Sequence, residues 1–159
     1  MSVKRNQESV WDYPRPPRVE PVSEQISVTH AGQQIVSTKE SVRVLETSHP
    51  PTYYLPIKDF KAGVLVEVEG QTYCEFKGAA TYFDIVVGEI RIPRVAWTYK
   101  LPTKGFESLH GKVALYASRV DECMVGDEVV QAQDGDFYGG WITSNIVGPF
   151  KGAPGTWGW

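Results

Sequence analysis

Glycine and proline recur so closely along this chain that long helices are not expected. The 159 residues include 15 Gly and 11 Pro. Glycine favours turn conformations and proline removes a backbone donor, so both interrupt regular helices. Between them lie short runs that are rich in Val, Ile, Thr and aromatic residues and that alternate apolar with polar side chains, as half-buried strands do. We therefore predict a mainly β fold of about nine strands.

Turn signals divide these runs into antiparallel hairpins. Ala31-Gly32 separates ISVTH from QQIVST, and Gly126-Asp127 is a second tight turn. Gly78 separates TYCEFK from the returning strand ATYFDIVVG, and Asp134-Gly135 is a further turn. Residues 102–111 are predicted to form one short helix that ends at a glycine. Because a single sheet of so many strands would expose long edges, we expect a barrel-like or two-sheet arrangement.

The length of the chain fits one domain. Residues 1–22 contain four prolines between Tyr13 and Val22 and are predicted to form an extended, Pro-rich N-terminal arm. Residues 23–159 are predicted to form a single β domain that includes the C-terminal segment rich in glycine and aromatic residues. Neither part shows a repeat of fixed period.

Charge and cysteine usage argue against several classes of function. The formal net charge is −3, and no basic run extends beyond Lys4-Arg5, so duplex nucleic acid and anionic membranes are not expected partners. No signal peptide or membrane-spanning run is apparent, so we expect a soluble, cytoplasmic protein. Cys74 and Cys123 form no Cys-x-x-Cys pair and the three histidines are far apart in sequence, so we expect neither a metal site nor a cofactor.

The segment TSHPPTYYLP, Thr47 to Pro56, is a stiff loop and a candidate site. A residue before proline favours extended geometry, so His49 is displayed ahead of Pro50-Pro51. The ring either bonds to the backbone of its own turn or takes part in catalysis with partners from elsewhere. Sequence leaves both interpretations open, because the second depends on whether His49 and Tyr53 face the strand of Glu75 and Lys77.

Glu75 and Lys77 lie two residues apart and share one face of their predicted strand. They form either a solvated ion pair or a pair that faces a cavity. In the second case burial would perturb the pKa of both groups, with Tyr73 and Tyr82 nearby, and Glu75 would be the natural general acid or base.

The C-terminal segment from Tyr138 to Trp159 contains six Gly, three Trp and two Pro in 22 residues. It is too aromatic for a disordered tail, so it is expected to pack against the domain. Its aromatic residues either close an open end of the β structure or line a pocket, with Lys151 as a charge for a carboxylate or phosphate.

Six segments taken together resemble one known family. They are VWDYPRPPRVEPVSE, VLETSHPPTYYLP, TYCEFKGAATYFD, AWTYKLP, KVALYASRVDEC and FYGGWITSNIVGPFKGAPGTWGW. Their ordered set resembles the domain-of-unknown-function 427 family, which also carries a nucleotidyltransferase label, over Ser9 to Trp159. The resemblance implies a compact, mostly antiparallel, tent-like β domain. This chain lacks the paired zinc cysteines of some tent-like relatives and the glycine-serine motif with spaced aspartates of metal-dependent nucleotidyltransferases.

The resemblance also marks positions in this chain without assigning roles to them. They are Trp11, Arg15, Ser48, His49, Pro50, Tyr53, Cys74, Glu75, Lys77, Tyr82, Trp97, Gly140, Trp141, Lys151 and Trp159.

The leading hypothesis is a small-molecule-binding β domain, as an enzyme or a binding protein, for an acidic or phosphorylated metabolite. His49, Glu75 and Lys77 are the candidate catalytic residues. The candidate ligand-binding residues are Arg15, Tyr53, Tyr82, Trp97, Trp141 and Lys151. The alternatives are a non-catalytic interaction or oligomerisation module, in which the aromatic tail docks on a partner or forms a homodimer, and a nucleotidyltransferase as the family label suggests.

Overall fold

Strands joined by tight turns form most of this protein, which a computed structural model describes over residues 7–74, 78–133 and 139–151, with the backbone alone at 71–74. The strands of these ranges are β1 (Glu8–Ser9), β2 (Arg18–Pro21), β3 (Ile26–His30), β4 (Gln33–Thr38), β5 (Val42–Leu45), β6 (Thr52–Pro56), β7 (Leu65–Cys74), β8 (Gly78–Val87), β9 (Ile90–Thr98), β10 (Lys112–Leu115), β11 (Glu122–Val125), β12 (Glu128–Val129), β13 (Gln131–Ala132), β14 (Trp141–Ile142) and β15 (Ile146–Val147). The same ranges contain four short 3-10 helices, at Val10–Asp12, Ile57–Asp59, Glu107–Leu109 and Ala117–Arg119. The predicted mainly β class is confirmed.

Two antiparallel sheets contain most of the strands. The larger sheet has seven strands in the order β2-β5-β6-β10-β9-β8-β7, and the smaller has four in the order β12-β11-β3-β4. Two minor pairs, parallel β1-β15 and antiparallel β13-β14, lie outside them. Among the described residues neither sheet closes on itself, since β2 and β7 end the larger one. The antiparallel prediction is confirmed, and the barrel-like closure is not.

The hairpin predictions are confirmed where the chain is described. β3 pairs with β4 across Ala31 and Gly32, whose φ angles of 51° and 75° suit a two-residue hairpin turn. β11 pairs with β12 across Gly126, and β7 pairs with β8 along most of their length. Residues 75–77 and the predicted turn at Asp134-Gly135 lie outside the described residues.

The short helix predicted over residues 102–111 is reduced to one 3-10 turn, Glu107–Leu109. Gly105 and Gly111 both have positive φ, at 95° and 74°, and so bound the segment on either side. Only five residues lie between these glycines, too few to repay the nucleation of an α-helix, so a 3-10 turn is the element that fits.

Alternation along the strands divides the buried side chains into two large clusters. We call inner cluster the set that joins the two sheets: it includes Leu55, Ile85 and Leu115 of the larger sheet and Val28 and Val125 of the smaller. The outer cluster lies on the other face of the larger sheet. Its buried members are Val42, Val44, Tyr54, Ala80, Trp97, Tyr99, Phe106, Leu109 and Ala114.

The Pro-rich N-terminal segment is paired into the structure by backbone hydrogen bonds. β2 runs antiparallel to β5, and β1 pairs with β15 near the far end of the chain. Between them Val10 and Tyr13 are buried in a third, small cluster with Leu45 and Ile146. In the described parts of the chain no helix is long and apolar enough to cross a membrane.

Candidate functional site

The loop from Glu46 to Pro51, which we call the His49 loop, connects β5 to β6 and is tied to both ends of the chain. At its centre Ser48 is fully buried and has a φ of 69°. The Ser48 N–H donates to the Val10 carbonyl at 3.0 Å, and the Ser48 carbonyl accepts from the Lys151 N–H at 2.8 Å. A non-glycine residue in this left-handed region is strained, and distant backbone contacts are what hold it there.

The His49 imidazole lies between a carboxylate and an amide. Nε2 of His49 is 3.8 Å from Oε2 of Glu46, and Nδ1 is 3.5 Å from Nε2 of Gln133. The His49 side chain is 16% exposed. The ring is therefore largely withdrawn from solvent, with Glu46 beside Nε2 and Gln133 beside Nδ1.

Gln133 determines which ring nitrogen of His49 accepts a hydrogen bond. Its amide oxygen accepts from the Gly140 N–H at 3.1 Å, and its amide nitrogen donates to the Lys151 carbonyl at 2.6 Å. These two contacts assign the orientation of the amide, so its NH₂ group faces Nδ1 of His49. Nδ1 is then the acceptor, and the neutral ring carries its hydrogen on Nε2, on the side of Glu46.

An aromatic pair supports the His49 loop from the inner cluster. The rings of Tyr53 and Trp141 are stacked with centroids 5.1 Å apart. The Trp141 N–H donates to the Pro51 carbonyl at 2.8 Å, and its indole Nε1–H donates to the Leu115 carbonyl at 3.3 Å. Trp141 is 1% exposed. Both rings thus hold the loop in place as packed core residues.

Two further aromatic candidates lie on the outer face of the larger sheet. Trp97 and Tyr82 are register partners on β9 and β8, and Trp97 contacts Tyr116 with ring centroids 4.7 Å apart. Gly139 passes so close to Trp97 that a Cβ there would clash with the indole ring. The segment from Gly139 to Trp141 therefore links the outer cluster to the pair that supports the His49 loop.

A partly buried charge cluster surrounds Arg43, which lies on the strand beside Tyr53. Nη2 of Arg43 is 2.5 Å from Oε1 of Glu20 and 3.2 Å from Oε1 of Glu8, and Glu8 also accepts a short hydrogen bond from the Tyr13 hydroxyl. Burial and the Glu8 contact raise the pKa of Tyr13. Two carboxylates neutralise Arg43, so this cluster fastens β1 and β2 to β5 and is not open to an anionic ligand.

The structure brings only some of the predicted site residues together. His49, Tyr53, Trp141 and the backbone of Lys151 meet at the His49 loop, whereas Tyr82 and Trp97 lie on the outer face. Arg15 is exposed on the N-terminal segment. Glu75 and Lys77 lie outside the described residues, so their roles remain predictions.

Sequence reasoning missed the partners of His49. Glu46 lies three residues before His49, and this short spacing could have indicated that the two side chains are neighbours. Gln133 lies 84 positions away, and nothing local marks it. Ser48 was identified as a candidate by the family resemblance alone. A serine before His-Pro-Pro does not predict the left-handed backbone conformation that Ser48 adopts.

A surface groove with a volume of about 690 Å³ lies apart from these candidates. It is lined by Glu40, Pro56, Ile57, Lys58, His110, Gly111 and Lys112. Its polar side chains are engaged locally: Lys58 pairs with Glu40 at 2.7 Å, and Lys112 donates to the Ser108 carbonyl at 2.7 Å. The described parts of the chain hold no group of three or more His, Cys, Asp and Glu side chains arranged to bind a metal ion.

Comparison with known proteins identifies one family. A family model labelled NTP_transf_9 and described as "Domain of unknown function (DUF427)" matches residues 18–126. This range contains the His49 loop and the outer-face aromatic residues, and it ends before Gln133. No curated protein matches the chain.

Proposed function

The chain belongs to the domain-of-unknown-function 427 family, and on that premise we propose that it is a small-molecule-binding β domain in which His49 transfers a proton. The observation that carries the proposal is the position of the His49 ring between Glu46 and Gln133. A carboxylate beside one nitrogen of an imidazole, with the other nitrogen left as acceptor, is the arrangement of an oriented general base.

The two sides of the ring would have different roles. The Gln133 contact to Nδ1 is 3.5 Å long, at the limit of a hydrogen bond, so a ligand hydroxyl or amine can replace it as donor. When Nδ1 takes the ligand's proton, the imidazolium positive charge is stabilised by Glu46 on the Nε2 side. Gln133 stays anchored by Gly140 and Lys151, so the loop need not unfold for a ligand to enter.

The proposed ligand is acidic or phosphorylated. Lys151 is half-buried, and its backbone contacts both Ser48 and Gln133. Its cationic side chain is therefore attached to backbone that lies beside the His49 loop. Arg15 and Lys77 are the other predicted cations for the same anionic group, and Glu75 is the predicted second proton-transfer group. A ligand of this class would also be attracted electrostatically at low salt more than at high salt.

A thermal-shift screen tests this proposal, because a ligand that binds only the folded state raises the melting temperature by mass action. The library contains nucleotides, sugar phosphates, amino acids and carboxylates. We expect a dose-dependent shift with wild type that is lost in His49→Asn and retained in His110→Asn. His110 is the matched control, since it is an exposed histidine that bonds the Lys100 carbonyl away from the His49 loop.

Two results would contradict the proposal. The first is the absence of any shift across the library in a well-folded sample. The second is a shift that His49→Asn leaves unchanged, because the ligand would then bind elsewhere.

A second candidate, a homodimer interface, is favoured by one observation. Trp11 and Val147 are 44% and 41% exposed, and the Trp11 indole donates to the Pro149 carbonyl at 2.9 Å, so these apolar side chains belong to one region beside the C-terminal segment. A second copy of the chain is the proposed occupant, since a self-complementary patch forms a twofold dimer. Light scattering of wild type and Trp11→Ser tests this: a dimer that dissociates in the variant supports it, and a monomeric wild type rejects it.

A further inference from the structure

Away from the His49 loop, an arginine occupies a backbone conformation that favours glycine. Arg94 has a φ of 49° and lies on β9 where the pairing with β8 is irregular. Asp84 holds it there: Oδ1 accepts from the Arg94 N–H at 2.8 Å, while Oδ2 accepts from Nε of Arg91 at 2.6 Å. A glycine would adopt this conformation without strain. The presence of an arginine therefore points to a use for its side chain.

The Arg94 guanidinium is oriented by the surface beneath it. Its Cζ lies 4.4 Å from the centroid of the Tyr82 ring, a cation–π contact, and its Nη1 donates to the Glu69 carbonyl at 3.0 Å. Gly70 leaves room for it, since a Cβ there would lie 3.2 Å from Nη1. Within the described ranges the Arg94 guanidinium forms no ion pair with a carboxylate side chain. A preoriented guanidinium with unused donors is the result.

A second arginine lies along the same aromatic surface. Tyr82 faces Trp97 across the strands, and Trp97 contacts Tyr116. Arg119 ends the 3-10 turn that follows, with its N–H donating to the Tyr116 carbonyl at 3.1 Å. Burial and the neighbouring Tyr82 raise the pKa of Tyr116, and Arg119 opposes them. Arg119 is exposed, and its side chain makes no hydrogen bond or ion pair in the part of the chain that is described.

We propose that Arg94 and Arg119, with Tyr82 and Tyr116 between them, form a binding site for an anionic oxygen group, a phosphate or a carboxylate. Guanidinium groups present several donors in a plane that matches such oxyanions. The stacking of Arg94 on Tyr82 leaves the edge of the guanidinium free to donate. This site lies on the outer face of the larger sheet and does not depend on proton transfer by His49.

Titration of the full chain with inorganic phosphate, and separately with acetate, tests the site at constant ionic strength. The arginine Nε–Hε resonances report binding directly. We expect saturable binding that becomes about tenfold weaker or more in Arg94→Gln and in Arg119→Gln, the change for loss of one charge-assisted hydrogen bond. Arg18→Gln is the matched control, since Arg18 is an exposed arginine at the opposite edge of the sheet, on β2. It should bind as wild type does.

The two anions distinguish the ligand class, because tighter binding of phosphate indicates a phosphorylated ligand and tighter binding of acetate a carboxylate. Arg119→Gln is expected to fold as wild type does, since Arg119 is exposed and its side chain makes no hydrogen bond or ion pair within the described residues. It therefore tests the site even if Arg94→Gln misfolds. Absence of saturable binding by either anion would overturn the proposal, as would unchanged binding in Arg119→Gln. Loss of phosphate binding in Arg94→Gln and in Arg119→Gln, with binding retained in Arg18→Gln, places the anion at this site and not at the His49 loop.

Discussion

Ser48 and Arg94 have similar backbone conformations and are held in them by different means. Ser48 has a φ of 69°, is fully buried, and is tied by backbone hydrogen bonds to Val10 and Lys151. Arg94 has a φ of 49°, is exposed, and is tied by one carboxylate, Asp84, on the neighbouring strand. The first conformation depends on both ends of the chain, and the second on a single residue ten positions away.

This difference indicates what each conformation provides. The strained conformation of Ser48 shapes the His49 loop and so sets the orientation of the His49 ring. The strain at Arg94 presents the arginine itself. Left-handed non-glycine residues cost about 1–2 kcal/mol each, so both are retained against a stability penalty. The following substitutions separate the forces that hold the two positions.

Gly140→Ala should have the largest effect, by breaking the contacts around the His49 loop. An added Cβ would lie 2.5 Å from Oε1 of Gln133 and 2.7 Å from the Pro50 carbonyl oxygen, and the second is backbone that cannot rotate away. We expect the free energy of unfolding to fall by about 3 kcal/mol, the upper range for overpacking. Urea denaturation measures it.

Gly88→Ala is the control for this substitution. Gly88 has a φ of 60° and no heavy atom within 4 Å of its would-be Cβ, so the variant suffers backbone strain alone. It should lose less stability than Gly140→Ala. An equal loss in both variants would show that the close approach of Gly140 to the loop does not matter.

Asp84→Asn tests the single carboxylate that holds Arg94. Hydrogen bonding by the Arg94 N–H lowers the pKa of Asp84 below its ordinary value of 3.8, burial opposes this, and Arg91 adds to the lowering. A carboxylate with a lowered folded pKa stabilises the protein above its unfolded pKa, and this stability is lost as pH falls through the folded pKa. At neutral pH we expect Asp84→Asn to lose about 2 kcal/mol, as for a hydrogen bond to a charged group.

The pH dependence makes that prediction specific. The stability difference between wild type and Asp84→Asn should be full above pH 3.8 and should shrink on further acidification. Urea unfolding at several pH values measures it. Asp127→Asn, in the exposed turn after Gly126, should show no such difference. A constant difference at all pH values would mean that the charge of Asp84 plays no part.

Ser48→Ala should have the smallest effect, and in the opposite direction. The Ser48 hydroxyl is buried and has no hydrogen-bond partner within the described chain. Replacing an unsatisfied buried hydroxyl by a methyl group removes a desolvation penalty, so we expect stability to rise by about 1 kcal/mol. Thermal unfolding measures the change. A destabilised variant would show that the hydroxyl is satisfied, most directly by a bound ligand or water, and would strengthen the case for a site.

Local patterns were sufficient for the elements that local chemistry specifies. The Ala31-Gly32 turn and the β7-β8 pairing follow from turn residues and alternation, because both are properties of adjacent positions. The helix predicted over residues 102–111 became a 3-10 turn since two glycines left too short a segment. The two-residue strand β15 had no signal, because so short a run has no measurable period.

The candidate site divides in the same way. Pro50 and Pro51 made the segment around His49 recognisable in the sequence, because their restricted geometry is a local property. Its partner Gln133 could not be recognised in this way, since its role comes from three contacts that only the fold brings together. Likewise Tyr82 and Trp97 were identified as candidates, but alternation could not show that they lie on the face opposite Tyr53 and Trp141.

What the sequence by itself determined is the β class, the tight turns at Ala31-Gly32 and Gly126-Asp127, and a stiff loop around His49, because Gly, Pro and residue alternation act over a few positions. Only the tertiary structure decided which amide lies beside His49, which residue holds Arg94 in a left-handed conformation, and which aromatic rings share a face. These depend on contacts between residues that are 10 or more positions apart, and such contacts form only when burial of the whole core compensates the entropy of closing the loops between them.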